Sequence, residues 1–231
     1  MRKINIAIDG PAGSGKGTVA KLVAKELGYL YVDSGIMYRL LTYLIIKNNV
    51  NFEDKEAILD ILINEFDYEV KDERVYFNDK DVTDELRGMK VSEKVAIVAG
   101  KQYIRDFLVK LQKAIASTKG VVMDGRDITS VVMKDAELKI YLDAEFEERV
   151  RRRYIQLLEK NKNVNIEEVR ENVKHRDYES IEVTKTLVVT SDAIVIDSTH
   201  ISSDEVVSKI VELAKERMNN DWGSSGIYWK T

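Results

Sequence analysis

Gly10-Pro11-Ala12-Gly13-Ser14-Gly15-Lys16-Gly17-Thr18 is the stretch on which the reading of this chain turns. Before it stands a short apolar run, residues 4–8, closed by Asp9, which predicts a buried strand. After it, residues 18–27 repeat apolar side chains at helical spacing, and Gly28 sits where a helix end favours a left-handed residue. Glycines without Cβ let the turn between strand and helix wrap its main-chain N–H groups around a polyphosphate. The helix adds its positive N-terminal end to the same place, and Lys16 is positioned to reach the terminal phosphate oxygens. The competing reading is an ordinary glycine-rich turn that happens to hold a lysine. The strand before, the helix after and the glycines in register weigh against it.

Outward from this cradle, residues 29–32 read as a second short strand, and residues 36–47 and 55–65 as helices. Then the pattern changes. Tyr68-Glu69-Val70 and Val75-Tyr76-Phe77 flank Lys71-Asp72-Glu73-Arg74 as a hairpin would, and Asn78-Asp79-Lys80-Asp81 supplies another turn before Val82. These antiparallel signals mark roughly 50–90 as an inserted subdomain. Helix resumes over about 92–116. Residues 121–123 end at Asp124 and residues 138–142 at Asp143, both as buried strands. Asp143 can cap a helix over 144–160 whose first turn carries Glu145, Glu147 and Glu148. Further helices fall at 166–175 and 204–218, with a last strand at 194–196 between them. Short apolar strands alternating with helices predict an α/β fold with a parallel sheet covered on both faces.

Composition narrows the function. Of the 231 residues, 44% are hydrophobic and 33% charged, enough for both a core and a soluble surface. Net charge is −4, so no overall positive field attracts duplex nucleic acid, and a nucleotide site must be a local cluster of cations. The absence of cysteine excludes disulfides, thiolate zinc sites and a cysteine nucleophile, and fits a cytoplasmic protein. Asn5 and Asp9 interrupt the apolar start too early for a signal peptide, and the apolar segment 36–46 contains Arg39 and is too short to span a bilayer. No membrane partner is expected. The tail 221–231, with two tryptophans and Gly-Ser-Ser-Gly, is either native or partly an expression remnant.

One departure from the general phosphate-loop pattern is informative. The residue after the lysine is usually Ser or Thr, yet here Gly17 stands there and the hydroxyl comes one later, at Thr18. Gly17 cannot ligate magnesium, so no protein metal site is expected. Mg2+ would be held by nucleotide phosphates, water and Asp124 at its strand end. This Gly-Lys-Gly-Thr form resembles that of nucleoside monophosphate kinases. Such an enzyme needs arginines from separate segments to hold a second phosphate, since guanidinium forks match phosphate oxygens bidentately. Arg39, Arg105, Arg126 and Arg176 are the candidates. Read structurally instead, Ser34 is a helix cap and Arg39 a surface arginine.

Four blocks together resemble the bacterial cytidylate kinases. They are Ile8-Asp9 with the loop 10–18; Asp33-Ser34-Gly35-Ile36-Met37-Tyr38-Arg39; Val122-Met123-Asp124-Gly125-Arg126-Asp127-Ile128; and residues 135–144 with Glu147-Glu148-Arg149 and Arg151-Arg152-Arg153. The resemblance covers residues 2–215. It implies a P-loop NTPase core with a five-stranded parallel sheet (about 1–35, 92–150 and 177–220), a small α+β monophosphate-binding insertion (about 36–91) and a short helical lid (about 151–176). The implied activity is transfer of the γ-phosphate of ATP, with Mg2+, to CMP or dCMP in a monomeric enzyme. By resemblance, Arg39 and Arg126 hold the acceptor phosphate, and Ser34, Arg105 and Asp127 lie around the cytidine. A carboxylate and an arginine suit cytosine, which shows an amine donor beside ring acceptors.

In the lid, helical ion pairs with the preceding glutamates account for Arg149 and Arg152. Arg151 and Arg153 are the better candidates for closing over ATP phosphates, and they join Lys16 and Asp124 as the expected catalytic set. The chain departs from the family at Ala96, where the family has a serine, and after Arg176-Asp177. There, Glu179 can stand in for a family aspartate near the ribose, while no arginine replaces the family's next cation; Lys185 is the nearest. The family's Ala-Pro-Leu stretch is missing too. Two alternatives stay open: a kinase for another monophosphate or small acceptor, and a nucleotide-dependent switch. The switch class reads guanine through Asn-Lys-x-Asp, and Asn161-Lys162-Asn163-Val164 lacks the aspartate.

Overall fold

Strand β1 (Ile6–Asp9) leads into helix α1 (Lys16–Leu27), then β2 (Leu30–Asp33), α2 (Ser34–Lys47) and α3 (Lys55–Asn64). Next come β3 (Glu69–Lys71), β4 (Arg74–Phe77), β5 (Lys80–Asp81), the single turn α4 (Thr83–Leu86), α5 (Met89–Gly100) and α6 (Gln102–Ala116). The chain continues with β6 (Val121–Gly125), β7 (Leu138–Asp143), α7 (Phe146–Glu159), α8 (Ile166–Tyr178), β8 (Ile194–Asp197) and α9 (Ser203–Asn219). These elements come from a computed structural model that describes residues 2–71, 74–159 and 164–219. The tail 221–231, Lys160 to Asn163 and the centre of the hairpin at Asp72-Glu73 lie outside the described residues.

The chain divides into two compact units: the described residues of Met1–Val32 with Ile115–Thr231, and Asp33–Ala114. The first holds a five-stranded parallel sheet in the order β2-β6-β1-β7-β8. Its register aligns the strand ends that matter: Ile8 lies beside Asp124, Asp9 beside Gly125 and Tyr141, and Asp143 beside Asp197. All four strands of that register therefore present their carboxyl ends at one edge, the edge where open α/β sheets bind ligands. The central strands are apolar on both faces. Ile4, Ile6, Ile8, Val122, Leu138, Ile140 and Leu142 pack with Val19, Ala20 and Val23 of α1 and Val206, Ile210, Val211 and Ala214 of α9. Each fully buried branched side chain of this set contributes roughly 1.5–3 kcal/mol.

The second unit buries Met37, Leu40, Leu41, Leu44 and Ile45 of α2 together with Ile58 and Ile61 of α3. It carries a three-stranded antiparallel sheet, β3-β4-β5. The turn expected at 78–81 takes only two residues, Asn78 and Asp79, with φ of 50° and 60°. Two left-handed residues in a row make the hairpin turn that matches strand twist, so Lys80 and Asp81 are free to pair with Phe77 and Tyr76 as a third strand. This unit is wider than the insertion expected at 36–91, since α5 and most of α6 go with it. The single helix expected over 92–116 is two helices: Gly100 ends the first, and Lys101 is extended at φ −83°, ψ 116°.

Candidate active site

The loop after β1 runs in close contact with backbone on two sides. A Cβ on Gly10 would stand 2.1 Å from the Leu142 carbonyl oxygen at the end of β7. Gly13, at φ 79°, would put one 2.6 Å from the Arg149 carbonyl oxygen on α7. Only glycine fits either place. The helix then opens directly at Lys16 with Gly15 as its left-handed N-cap, two residues earlier than the apolar periodicity alone indicates. The free N–H groups of α1's first turn thus face the loop. Lys16 folds back over it, Nζ donating to the Pro11 carbonyl at 3.0 Å.

Three side chains from distant elements hold the loop. Asp177, in the last turn of α8, accepts from the Ala12 N–H at 2.8 Å. Arg149, in the first turn of α7, donates to the Ala12 carbonyl at 2.8 Å, to the Ala144 carbonyl at 2.9 Å and to the Asp177 carboxylate. Both side chains are buried, and both polar groups of the Ala12 backbone are taken. Arg149 is therefore no helical ion pair, contrary to expectation: its partner lies on another helix, because its place in the first turn of α7 points it into the loop. Arg152 does pair with Glu148 as expected, at 2.8 Å, and also donates to the Ser198 carbonyl at 2.6 Å and to Ser198 Oγ at 2.9 Å.

The turn after β6 is tied to the same loop. The buried Asp9 carboxylate accepts from the Ile128 N–H at 3.0 Å, the Thr129 N–H at 2.8 Å and Thr129 Oγ1 at 2.6 Å. Asp127, itself buried, precedes the wide turn Ile128–Val132, and its carbonyl accepts from the Val131 N–H at 2.9 Å and the Val132 N–H at 3.2 Å. Arg126 donates to the Gly10 carbonyl at 3.2 Å and lies 3.6 Å from Asp177. The electrostatics follow from this crowding. Burial, then the charge of Arg126, lowers Lys16 from 10.5 to about 7, with Asp124 partly opposing and Arg176 adding to the fall. Burial and then Arg176 lower Arg126 to about 10. Burial raises Asp9 despite its hydrogen bonds. Three cations that disfavour one another's charge mark a place where an arriving polyanion is stabilised.

Asp124 is buried beside the loop, accepting from Tyr31 Oη at 2.9 Å. Among the described residues no cluster of three or more His, Asp or Glu could hold a metal ion by itself. A single carboxylate next to a phosphate cradle fits magnesium, which keeps most of its water and binds through one or two carboxylates plus phosphates. Arg176 is half-buried on α8, next to Asp177. Glu179 begins the wide turn Glu179–Val183; its carbonyl accepts from the Thr184 N–H and hydroxyl, each at 2.8 Å, and its carboxylate lies 3.9 Å from His175 Nε2. Arg151 is exposed and bonded to Glu148 at 2.7 and 2.8 Å, and Arg153 donates to Gln156. In the second unit Ser34 is the buried first residue of α2, whose cap is Asp33 rather than Ser34. There Arg39 donates to the Leu86 carbonyl at 2.9 Å and to Ser92 Oγ at 3.0 Å, and Arg105 is half-buried on α6. Asp177 and Tyr31 did not stand out in the sequence. The first adjoins a predicted arginine; the second is a phenol on a strand flanking the loop.

A family model described as cytidylate kinase matches residues 6–216. A cytidylate kinase of Caldanaerobacter subterraneus is 43% identical over 219 residues, covering 94% of this chain and 97% of that protein. One from Fusobacterium nucleatum is 42% identical over 219 residues, covering 93% of this chain and 100% of that protein. Among solved structures, an uncharacterised protein from Eubacterium ventriosum aligns with a TM-score of 0.50 at 14% identity, covering 93% of this chain and 99% of that one, a likeness of fold.

Proposed function

The chain belongs to the cytidylate kinase family, and on that premise we propose that it transfers the γ-phosphoryl group of ATP to CMP or dCMP, giving CDP or dCDP. The observation that carries this reading is the crowding of Lys16, Arg126 and Arg176 against one glycine-rich loop. ATP lies with its phosphates along residues 10–18. Lys16 stabilises the charge that gathers on the transferring group. An oxygen of the acceptor phosphate, already anionic, forms the new bond to the γ-phosphorus as the bond to the bridging oxygen breaks, and ADP leaves with that electron pair. No covalent enzyme intermediate and no dedicated general base are needed.

Arg126 binds the acceptor phosphate, Asp127 the base, and Arg176 and Glu179 the nucleoside. Ser34, Arg39 and Arg105 take the acceptor-side roles that family resemblance assigns them. Arg151 and Arg153 turn onto the ATP phosphates and exclude water. Asp124, together with the phosphates, would hold magnesium, which when bound would neutralise part of the polyphosphate charge. The enzyme acts as a cytoplasmic monomer in this reading, and its net charge of −4 fits work on free mononucleotides rather than on duplex nucleic acid. No helix among the described residues is long and apolar enough to cross a membrane.

The test is an acceptor screen: coupled-assay rates with ATP, Mg2+ and each of CMP, dCMP, UMP and AMP. CMP and dCMP should exceed the others by orders of magnitude, because the wrong base leaves buried polar groups unpaired. Equal turnover of UMP or AMP would remove the cytidine assignment.

A further inference from the structure

Gly17 stands where the general phosphate loop has a hydroxyl, so the loop itself offers none at that position. The space around Gly17 shows what faces it instead. A Cβ built there would lie 3.5 Å from Tyr31 Oη and 3.7 Å from Asp124 Oδ2, an ordinary contact with both. Those two groups are bonded to each other, Tyr31 Oη donating to Asp124 Oδ1 at 2.9 Å. They come from β2 and β6, neighbouring strands of the sheet, and the Tyr31 ring packs against the main core. A phenol on a rigid strand therefore aims its hydroxyl at the one place on the loop where the hydroxyl is missing.

We propose that Tyr31 is a positioning residue for the nucleotide–magnesium site, orienting Asp124 so that the pair does what a loop hydroxyl would otherwise do. This rests on the phosphoryl-transfer reading above. A carboxylate with one oxygen fixed by a strand-borne donor has fewer rotamers to lose when it takes up a hydrated cation, and partners of this outer kind tune metal affinity strongly. The other oxygen, Oδ2, is the one nearer Gly17. Asp124 also stands close enough to Lys16 to favour its charged form, so its orientation reaches the lysine as well.

Tyr31→Phe removes the hydroxyl and keeps the ring in the core. The measurement is calorimetric ATP affinity in excess Mg2+ and again in EDTA, on protein whose melting temperature matches the parent. In the variant, affinity in EDTA should stay at the parental value, while the gain from Mg2+ should shrink about tenfold or more. Adding Gly17→Ser to Tyr31→Phe should restore part of that gain, since the serine Cβ fits the space. An unchanged Mg2+ gain in Tyr31→Phe overturns the proposal, as does an equal loss with and without Mg2+, or a Gly17→Ser change that restores nothing. These readouts do not depend on CMP. Failure of the parent protein to turn over CMP would end the phosphoryl-acceptor reading separately.

Discussion

Arg149 and Arg151 stand two residues apart on α7 and have opposite surroundings. Two residues of helix turn through about 200°, so the pair faces opposite sides. Arg149 is buried to 8% exposure and satisfies the Ala144 carbonyl, the Ala12 carbonyl and Asp177. The Arg151 side chain keeps 61% exposure and bonds to Glu148 on its own helix. The first residue fixes the loop to the roots of α7 and α8. The second is held by an exposed pair of the kind worth about 0–1 kcal/mol, so exchanging Glu148 for a phosphate costs little. The difference separates a side chain that fixes the loop from one whose bonds are cheap to break.

The largest effect belongs to the fixed part. Lys16→Ala should lower turnover by several orders of magnitude, the scale on which charge-stabilising groups act, with the melting temperature little changed. Normal turnover in that variant would end the assignment of the loop as the catalytic cradle. Next comes Asp177→Asn. The amide keeps the shape but leaves the Arg149 and Arg126 guanidinium groups facing a neutral partner. Breaking a buried pair in this way costs about 3–5 kcal/mol, read as a lower denaturant midpoint. A shift below about 1 kcal/mol would put Asp177 in the same class as the exposed pairs and erase the contrast.

The fixed part also carries a pH signature. Lys16 falls from 10.5 to about 7 in the folded protein, through burial first and Arg126 second. Between those values the unfolded chain binds more protons than the folded one, so this lysine makes stability rise with pH across that window and contributes no slope outside it. A polyphosphate beside Lys16 favours its charged form again, so ATP binding at about pH 9 should take up protons. Calorimetry in buffers of different ionisation enthalpy measures the uptake, and Lys16→Met should abolish it. A parent protein that binds ATP with no proton uptake would contradict the crowding of cations at the loop.

What could be read from the sequence was local. Strand, glycines, lysine and helix follow one another within residues 4–27, and Arg126-Asp127 follows its strand directly, so periodicity and turn chemistry exposed both. The clamp was not legible, because it is tertiary. Asp177 comes 28 residues after Arg149, and Tyr31 and Asp124 are separated by 93. No spacing rule pairs them, and Glu145 and Glu148, close by on the same segment, offered Arg149 a local partner that it does not use. The turn Ile128–Val132 is hidden for the same reason: its first two N–H groups, of Ile128 and Thr129, are satisfied by Asp9, from a strand more than a hundred residues earlier. The wide second unit followed from packing in a similar way, since α5 belongs to it by packing on α2, a contact that no local spacing announces.

The smallest expected effect is on the exposed side of α7. The hydrogen bond from Arg151 is the first cause holding the Glu148 carboxyl down at about 2; burial opposes it and Arg152 adds to the fall. This pairing stabilises the fold above the ordinary carboxylate range and is lost as pH falls towards 2. Exposure limits its worth, so Arg151→Ala should change unfolding free energy at neutral pH by no more than about 1 kcal/mol. Turnover is the separate readout. If Arg151 exchanges Glu148 for an ATP phosphate during transfer, kcat falls in the variant while CMP affinity stays at the parental value. If kcat is unchanged, Arg151 serves only the surface of α7, and the movable half of the site must rest on Arg153 instead.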